Sequence, residues 1–169
     1  MEQVDVVDEN LKVLYSVPKE EAHDKGLLHA TVIAEVINSK GEWLLVKQAR
    51  HKQDAGQFVS PVGGHVSSGE NLEKALKREA AEEVGLKVSK FRLVGKKIYK
   101  RKWPRGIENH YFIVYEIYSD EEPKLNDESV EFKRFKVSEI KEKLKSNQQY
   151  FGQAFHFVVK NFYSSLFLD

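Results

Sequence analysis

Three glutamates, Glu79, Glu82 and Glu83, stand at spacing i, i+3 and i+4 within the run Gly64 to Leu86. On a helix that spacing projects three carboxylates from nearly one face. At an effective dielectric of ~20 and a separation of ~5 Å, each pair repels by about 3 kcal/mol. Such crowding makes physical sense around a divalent cation, whose hard oxygen ligands carboxylates supply. The competing reading is a solvated face in which Lys74, Lys77 and Arg78 pair with the glutamates at i, i+4. It leaves unexplained the glycines at both approaches to the helix. Gly85 suits a left-handed C-cap, Ser68 is placed to cap the start, and Gly63-Gly64 lets backbone approach a ligand or metal closely. The metal site is the stronger reading.

The same residues resemble the Nudix box. Gly64, Glu70, Arg78, Glu79, Glu82, Glu83 and Gly85 occupy its fixed positions, with Ala80 and Leu86 at its apolar ones. The resemblance implies hydrolysis of a diphosphate joined to another moiety, commonly a nucleoside diphosphate, with Mg2+ or Mn2+ as cofactor. Carried over by position, Glu82 and Glu83 are metal ligands, joined by a backbone carbonyl of Gly63 or Gly64. Glu79 is a further ligand or the general base, and Glu70 with Arg78 forms a pair that orients it. The expected catalytic set is therefore Glu79, Glu82, Arg78 and Glu70. Glu108 and Glu128 are alternative bases from outside the box.

A second resemblance lies nearer the start. His23-Asp24-Lys25-Gly26-Leu27-Leu28-His29, the Asn38-Ser39-Lys40-Gly41 turn and Leu44-Leu45-Val46-Lys47 are similar to type I isopentenyl diphosphate isomerases and their hydrolase relatives. That likeness implies a second metal site at His23, His29, His65, Glu108 and His110, the last being His where those isomerases carry Glu. Isomerisation itself is disfavoured. Those enzymes place a cysteine where Gly63 stands here, and this chain has no cysteine. A third class, a Nudix-fold module that only binds a nucleotide, is disfavoured because every box carboxylate is retained.

The basic segment Lys96 to Arg105 offers Lys100, Arg101 and Arg105 as substrate contacts, and Lys47 and Arg50 form a second candidate set for the diphosphate. Lysines on a strand edge also serve simply to block unwanted pairing.

The chain is 169 residues long, 41% hydrophobic and 31% charged, with a formal net charge of +1. These values fit one domain over residues 1–169 with a full core, and give no reason to expect a nucleic-acid or membrane partner. The expected partners are a small diphosphate substrate and, from the family resemblance, a second copy in a homodimer. Neither a leader pattern nor a long apolar run is visible, so the expected location is cytoplasmic.

The elements that must position the site follow from pattern. Strands are expected at His29 to Ile37, Glu42 to Lys47, Gln57 to Pro61, Phe91 to Arg101 and Ile107 to Tyr118, after a hairpin made by Val4 to Val7 and Lys12 to Tyr15. A brief helix opens at Val17-Pro18. The box helix is expected over Glu70 to Val84, a short helix capped by Ser138 runs through Leu144, and Ser119 to Asp127 reads as a loop. Phe151, Phe155, Val158, Phe162 and Leu166 recur at helical spacing, which predicts one long terminal helix packed on the sheet. The fold class is α/β, with the α/β/α sandwich and mixed β-sheet that the Nudix resemblance implies.

Overall fold

A sheet of nine strands carries the helices of the computed structural model, which describes residues 2–104 and 106–168, with the backbone alone at position 103. At its centre is β3 (His29–Ile37), a β-branched run whose residues alternate between two cores. Along one edge β3 pairs in parallel with β8 (Gly106–Tyr118), from His29 opposite His110 to Ile37 opposite Tyr118. Its other edge is shared. There β1 (Gln3–Val7) meets His29, β6 (Val62–His65) pairs antiparallel from Thr31 to Ala34, and β4 (Trp43–Gln48) meets Val36 and Ile37. The sheet is therefore mixed. The remaining strands are β2 (Val13–Pro18) beside β1, β5 (Phe58–Val59) and β9 (Ser129–Phe135) beside β4, and β7 (Phe91–Trp103) beside β8.

The expected Asn38–Gly41 turn is present. The Asn38 side chain accepts from the backbone N–H of Lys40 at 3.1 Å and of Glu42 at 2.9 Å, and Gly41 takes φ 76°. The strand expected at Gln57 to Pro61 is instead two short ones, β5 and β6, with Pro61 between them unable to donate to a ladder. β9 lies outside every expected strand, because Val130, Phe132 and Phe135 are interleaved with charges on a strand that is buried only at Phe135.

One face of the sheet, with Val32, Ala34, Val36, Ile113 and Ile117, is covered by α2 (Leu72–Val84) through Ala75, Leu76, Ala80 and Val84. Two of those four contacts are alanines, so the helix backbone sits close to the strands that carry the glycines. The other face, with Ile33, Leu45, Phe58, Phe112 and Val114, is covered by α3 (Val137–Ser146), α4 (Gln153–Phe162) and α5 (Ser164–Phe167). A short helix, α1 (Lys19–Lys25), packs Ala22 against Val4, Val6 and Val17.

Three boundaries depart from expectation. Asn71, not Ser68, caps α2, accepting from the Lys74 N–H at 2.8 Å, while Ser68 donates its hydroxyl to Asp5 at 2.6 Å. The cap of α3 is Lys136, whose N–H donates to Glu139 at 2.8 Å, so Ser138 lies inside the helix. The terminal helix is broken at Tyr163 (φ −134°), whose hydroxyl donates to Glu116 at 2.7 Å, and Phe151 precedes the helix as a bridge partner of Phe58. The break turns Phe167 into the core and leaves Leu166 41% exposed.

Glu35 is the one fully buried carboxyl of β3 and takes the Ser60 hydroxyl as partner. Burial pushes its carboxyl up to about 8, opposed by the Ser60 hydrogen bond and reinforced by Glu116. The unfolded chain loses this proton near its ordinary value of 4.5 while the folded chain keeps it, so the group's contribution to stability falls as pH rises from about 4.5 to about 8. The slope is roughly 1.4 kcal/mol per pH unit. Glu35→Gln, which mimics the neutral acid, is expected to remove this slope and to be more stable than wild type at pH 8 but not at pH 4.5. Urea denaturation at both pH values measures it, and parallel curves for the two proteins would refute the assignment.

Candidate active site

The box residues converge because α2 lies across β6. Glu83 accepts the Gly63 N–H at 2.9 Å, so the helix side chain is tied directly to the strand. A Cβ on Gly64 would collide with the Glu79 carboxyl, and this contact is what the glycine at that position serves. Arg78 is the organiser. Its Nε and Nη2 donate to the two Glu70 oxygens at 2.9 and 3.0 Å, Nη2 also reaches the His65 carbonyl at 3.0 Å, and Nη1 donates to Glu79 at 2.7 Å. Glu82 lies at 3.4 Å from the same Nη1 and keeps 57% of its side chain exposed. Glu70 is itself fixed by the Ser67 N–H at 3.0 Å. The expected Glu70–Arg78 pair is thus present, and it does hold Glu79.

The electrostatics separate these carboxyls. Hydrogen bonding from Arg78 holds Glu70 below the usual carboxylate range, against a smaller effect of burial. Burial raises Glu79, which the Arg78 hydrogen bond and charge oppose and the Glu82 and Glu128 charges reinforce. Burial also pushes Glu83 up to about 9, opposed by the Gly63 hydrogen bond and reinforced by Glu79 and Glu128. Glu79 and Glu83 therefore resist ionisation together. A divalent cation held by oxygen donors is the partner that such a set fits, and hard Mg2+ or Mn2+ suits it by donor chemistry.

Glu128, from the loop before β9, joins this group, and Asn126 of the same loop donates to the Glu82 carbonyl at 3.1 Å. Burial raises Glu128, but the Lys52 hydrogen bond and charge prevail and leave it lowered. Lys52 donates at 2.6 Å, and Asn126 donates to the other oxygen at 3.2 Å. Lys52 belongs to the loop between β4 and β5, which is held down by the Asp54 N–H on the Gln48 side chain at 2.9 Å and by an Arg101–Asp54 ion pair at 3.1 Å. Sequence reasoning missed Lys52 and Asp54. The only signal for Lys52 was the polar run Gln48 to Lys52 directly after a buried strand.

Arg78, Glu79, Glu82, Glu83, Glu128, Lys52 and Asp54 line a cleft of about 1220 Å³, together with Arg50, His51 and Lys19. This is ample for a small substrate, since sites for drug-sized ligands span about 300–1,000 Å³. Of the expected substrate contacts, Arg50 lines the cleft. Lys47 does not, and pairs with Glu131 at 3.1 Å. Arg101 is engaged by Asp54, Lys100 is exposed on β7 away from the cleft, and Arg105 lies outside the described residues. Basic side chains on β7 alternate sides with the pleat, so a run along it cannot converge on one ligand.

Of the second group of expected ligands, His23, His65, Glu108 and His110 line the same cleft, and His29 is fully buried beside them. His23, His29, His65 and His110 bring one ring nitrogen each to within 4.8 Å of one another. The pairing of β3 with β8 and with β6 puts His29, His110 and His65 together, and α1 adds His23. Glu108 stands outside this group. Its Oε2 is 4.0 Å from Nδ1 of His110, and burial raises its carboxyl, opposed by Arg101 and by a hydrogen bond from Gln53. Burial lowers all four imidazoles, His29 to about 4 and His110 to about 3, and so disfavours charge on the cluster.

Comparison with known proteins agrees with this geometry. The model of the NUDIX domain family matches residues 27–155. The chain is 35% identical over 136 residues to isopentenyl-diphosphate delta-isomerase 2 of Photorhabdus laumondii, covering 76% of this chain and 73% of that protein. It is 33% identical over 129 residues to an uncharacterised Nudix hydrolase of Nostoc sp., covering 75% of each. A crystal structure of a Deinococcus radiodurans protein superposes with a TM-score of 0.75 at 21% identity, over 96% of this chain and 99% of that one, a likeness of fold alone. With the box residues Arg78, Glu79, Glu82 and Glu83 on α2 and the matched domain spanning the sheet, the chain belongs to the NUDIX domain family and is a Nudix hydrolase.

Proposed function

We propose that this chain hydrolyses the diphosphate bond of a small substrate, a nucleoside diphosphate linked to another moiety being the class best matched, with Mg2+ or Mn2+ as its cofactor. The observation that carries the reading is the placement of Glu79, Glu82, Glu83 and Glu128 around one end of a large cleft, with Arg78 locking Glu79. Glu79, Glu82 and Glu83, with a backbone carbonyl of Gly63 or Gly64, would hold the ion. An ion held by these residues would supply positive charge to neutralise phosphate oxygens when water attacks phosphorus.

The protein's own groups do the rest. Arg78 and Glu70 keep Glu79 in one rotamer, so the reacting groups need no reorganisation. Glu79 is the first choice of base for the attacking water, and Glu108 and Glu128, which also line the cleft, are the alternatives from outside the box. Arg50, which lines the same cleft, would hold phosphate oxygens. The isomerase reading requires a thiol at position 63, where this chain has glycine, and no cysteine exists elsewhere to replace it.

Mn2+ titration followed by electron paramagnetic resonance tests the ion site. The wild-type chain is expected to bind Mn2+ with loss of the free-ion signal, and Glu83→Gln to bind at least about tenfold more weakly. Equal binding by the two proteins would remove Glu83 from the site.

A further inference from the structure

Glu70, which anchors Arg78, sits in a turn ahead of α2 and not on the helix itself. The turn from Ser67 to Glu70 closes through the Glu70 N–H on the Ser67 carbonyl at 2.9 Å, with Gly69 at φ 77° in its third place, as a type II turn requires. Ser68 and Gly69 are exposed, so the turn has no core of its own to hold it. Its support comes from the β1–β2 hairpin, which precedes residues 27–155 matched by the family model. The Ser68 N–H donates to the Gln3 carbonyl at 2.8 Å, and Ser67 forms an antiparallel bridge with Val4.

Asp5 is the centre of this junction. On β1 it stands between Val4 and Val6, which are buried with Val17 and Ala22, so the pleat turns its carboxylate to the opposite side. There Oδ1 accepts the hydroxyls of Ser16, on β2, and of Ser68, each at 2.6 Å, and Oδ2 accepts the Gly69 N–H at 3.1 Å. Burial raises the carboxyl, but these three bonds prevail and hold it below its ordinary value. A carboxylate that served only the hairpin would need Ser16 alone. Two of the three bonds instead reach residues 63 and 64 positions away, in the turn that carries Glu70.

From this arrangement we infer that Asp5 is a positioning residue for the hydrolase site, fixing the turn that sets Glu70 and, through Glu70, the guanidinium of Arg78 and the carboxylate of Glu79.

Each link is a hydrogen bond. Within the turn, the Ser67 N–H donates to Glu70 Oε1 at 3.0 Å, and the same oxygen takes Arg78 Nη2 at 3.0 Å while Oε2 takes Nε at 2.9 Å. A shift of the turn therefore disturbs both ends of the Glu70 carboxylate. Losing Glu70 removes the bidentate partner that fixes the plane of the guanidinium, whose Nη1 holds Glu79 at 2.7 Å. Asp5 is not among the residues lining the cleft, so it acts through these bonds and touches no substrate. The place of Glu79 at the ion is the reading proposed above, and only the metal arm of the test rests on it.

The test compares full-length wild type with Asp5→Ala, Asp5→Asn and Ser68→Ala. Hydrogen exchange at the arginine Nε–H groups is followed by 15N NMR, with Arg78→Lys identifying the Arg78 signal by its absence, and Mn2+ affinity is read by electron paramagnetic resonance. Circular dichroism confirms that each chain is folded. In Asp5→Ala the Arg78 Nε–H is expected to exchange at least about tenfold faster than in wild type, and Mn2+ to bind roughly tenfold more weakly. An asparagine accepts the Gly69 N–H through its oxygen and donates to both hydroxyls through its amide, so Asp5→Asn is expected to restore both readings. Ser68→Ala leaves the Asp5–Ser16 bond in place and is expected to speed the exchange about threefold, which keeps the test open if Asp5→Ala does not fold. Arg78 exchange at the wild-type rate in folded Asp5→Ala, or in Ser68→Ala where that chain alone is folded, would overturn the inference. Faster exchange with unchanged Mn2+ affinity would uphold the role of Asp5 and count against Glu79 as a ligand, so the two failures are distinguishable.

Discussion

Glu82→Gln is expected to lower hydrolysis by about a thousandfold or more while leaving the fold unchanged, a loss of ~4 kcal/mol in transition-state stabilisation. The two halves of this expectation have separate causes. Glu82 is the most exposed of the box carboxylates and makes one long contact, to Arg78 at 3.4 Å, so an isosteric amide costs the protein almost nothing. Its loss matters only where charge is needed, at the ion and the phosphates beside it. Turnover with the variant, read against its melting curve, checks both. An unaltered melting curve with unaltered turnover would take Glu82 out of the mechanism.

Gly64→Ala is the second large effect, and it acts through shape. The added methyl would occupy the space of the Glu79 carboxyl, so either β6 moves or Glu79 leaves Arg78. Moving β6 would strain its four-residue pairing with β3, from Thr31 to Ala34, whereas Glu79 needs only a new rotamer. The expected outcome is a folded chain with a displaced base or ligand. Activity should fall by about a hundredfold or more, since a misplacement of ~1 Å at a reacting group already costs about that much. Gly69→Ala serves as a control, because its Cβ would meet nothing, although φ 77° imposes a modest backbone cost. Activity of Gly64→Ala equal to that of Gly69→Ala would contradict the close contact as the reason for the glycine.

What was legible in advance was local. The box carries its own helix signals, with Gly85 capping the end at φ 63°, and the Asn38–Gly41 hairpin is specified by side chains within four residues of one another. The two cores also follow from alternation along β3. What was not legible depends on long-range contact. Lys52 and Glu128 are 76 positions apart and meet only because β4 pairs with β9, a strand with no clean apolar alternation. Arg101 reads as a free cation in sequence, but Asp54, 47 positions away, neutralises it. The terminal stripe broke at Tyr163 because that phenol bonds Glu116, a buried charge on β8 that no helical period reveals. His110 was expected beside the other histidines only through resemblance, yet the parallel register of β3 and β8 sets it directly opposite His29. Glu108, two residues before it on the same strand, shares its side of the pleat but lies farther from the cluster and toward Arg101.

The most direct test is phosphorus NMR of the purified chain with Mg2+ and a panel of nucleoside di- and triphosphates, sugar nucleotides, dinucleoside polyphosphates and isopentenyl diphosphate, with Glu82→Gln alongside. The account predicts that at least one panel member containing a diphosphate bond is split into two phosphorus products, that chelating the metal stops the reaction, and that Glu82→Gln does not support it. Conversion of isopentenyl diphosphate to its isomer with every diphosphate bond intact would contradict the account.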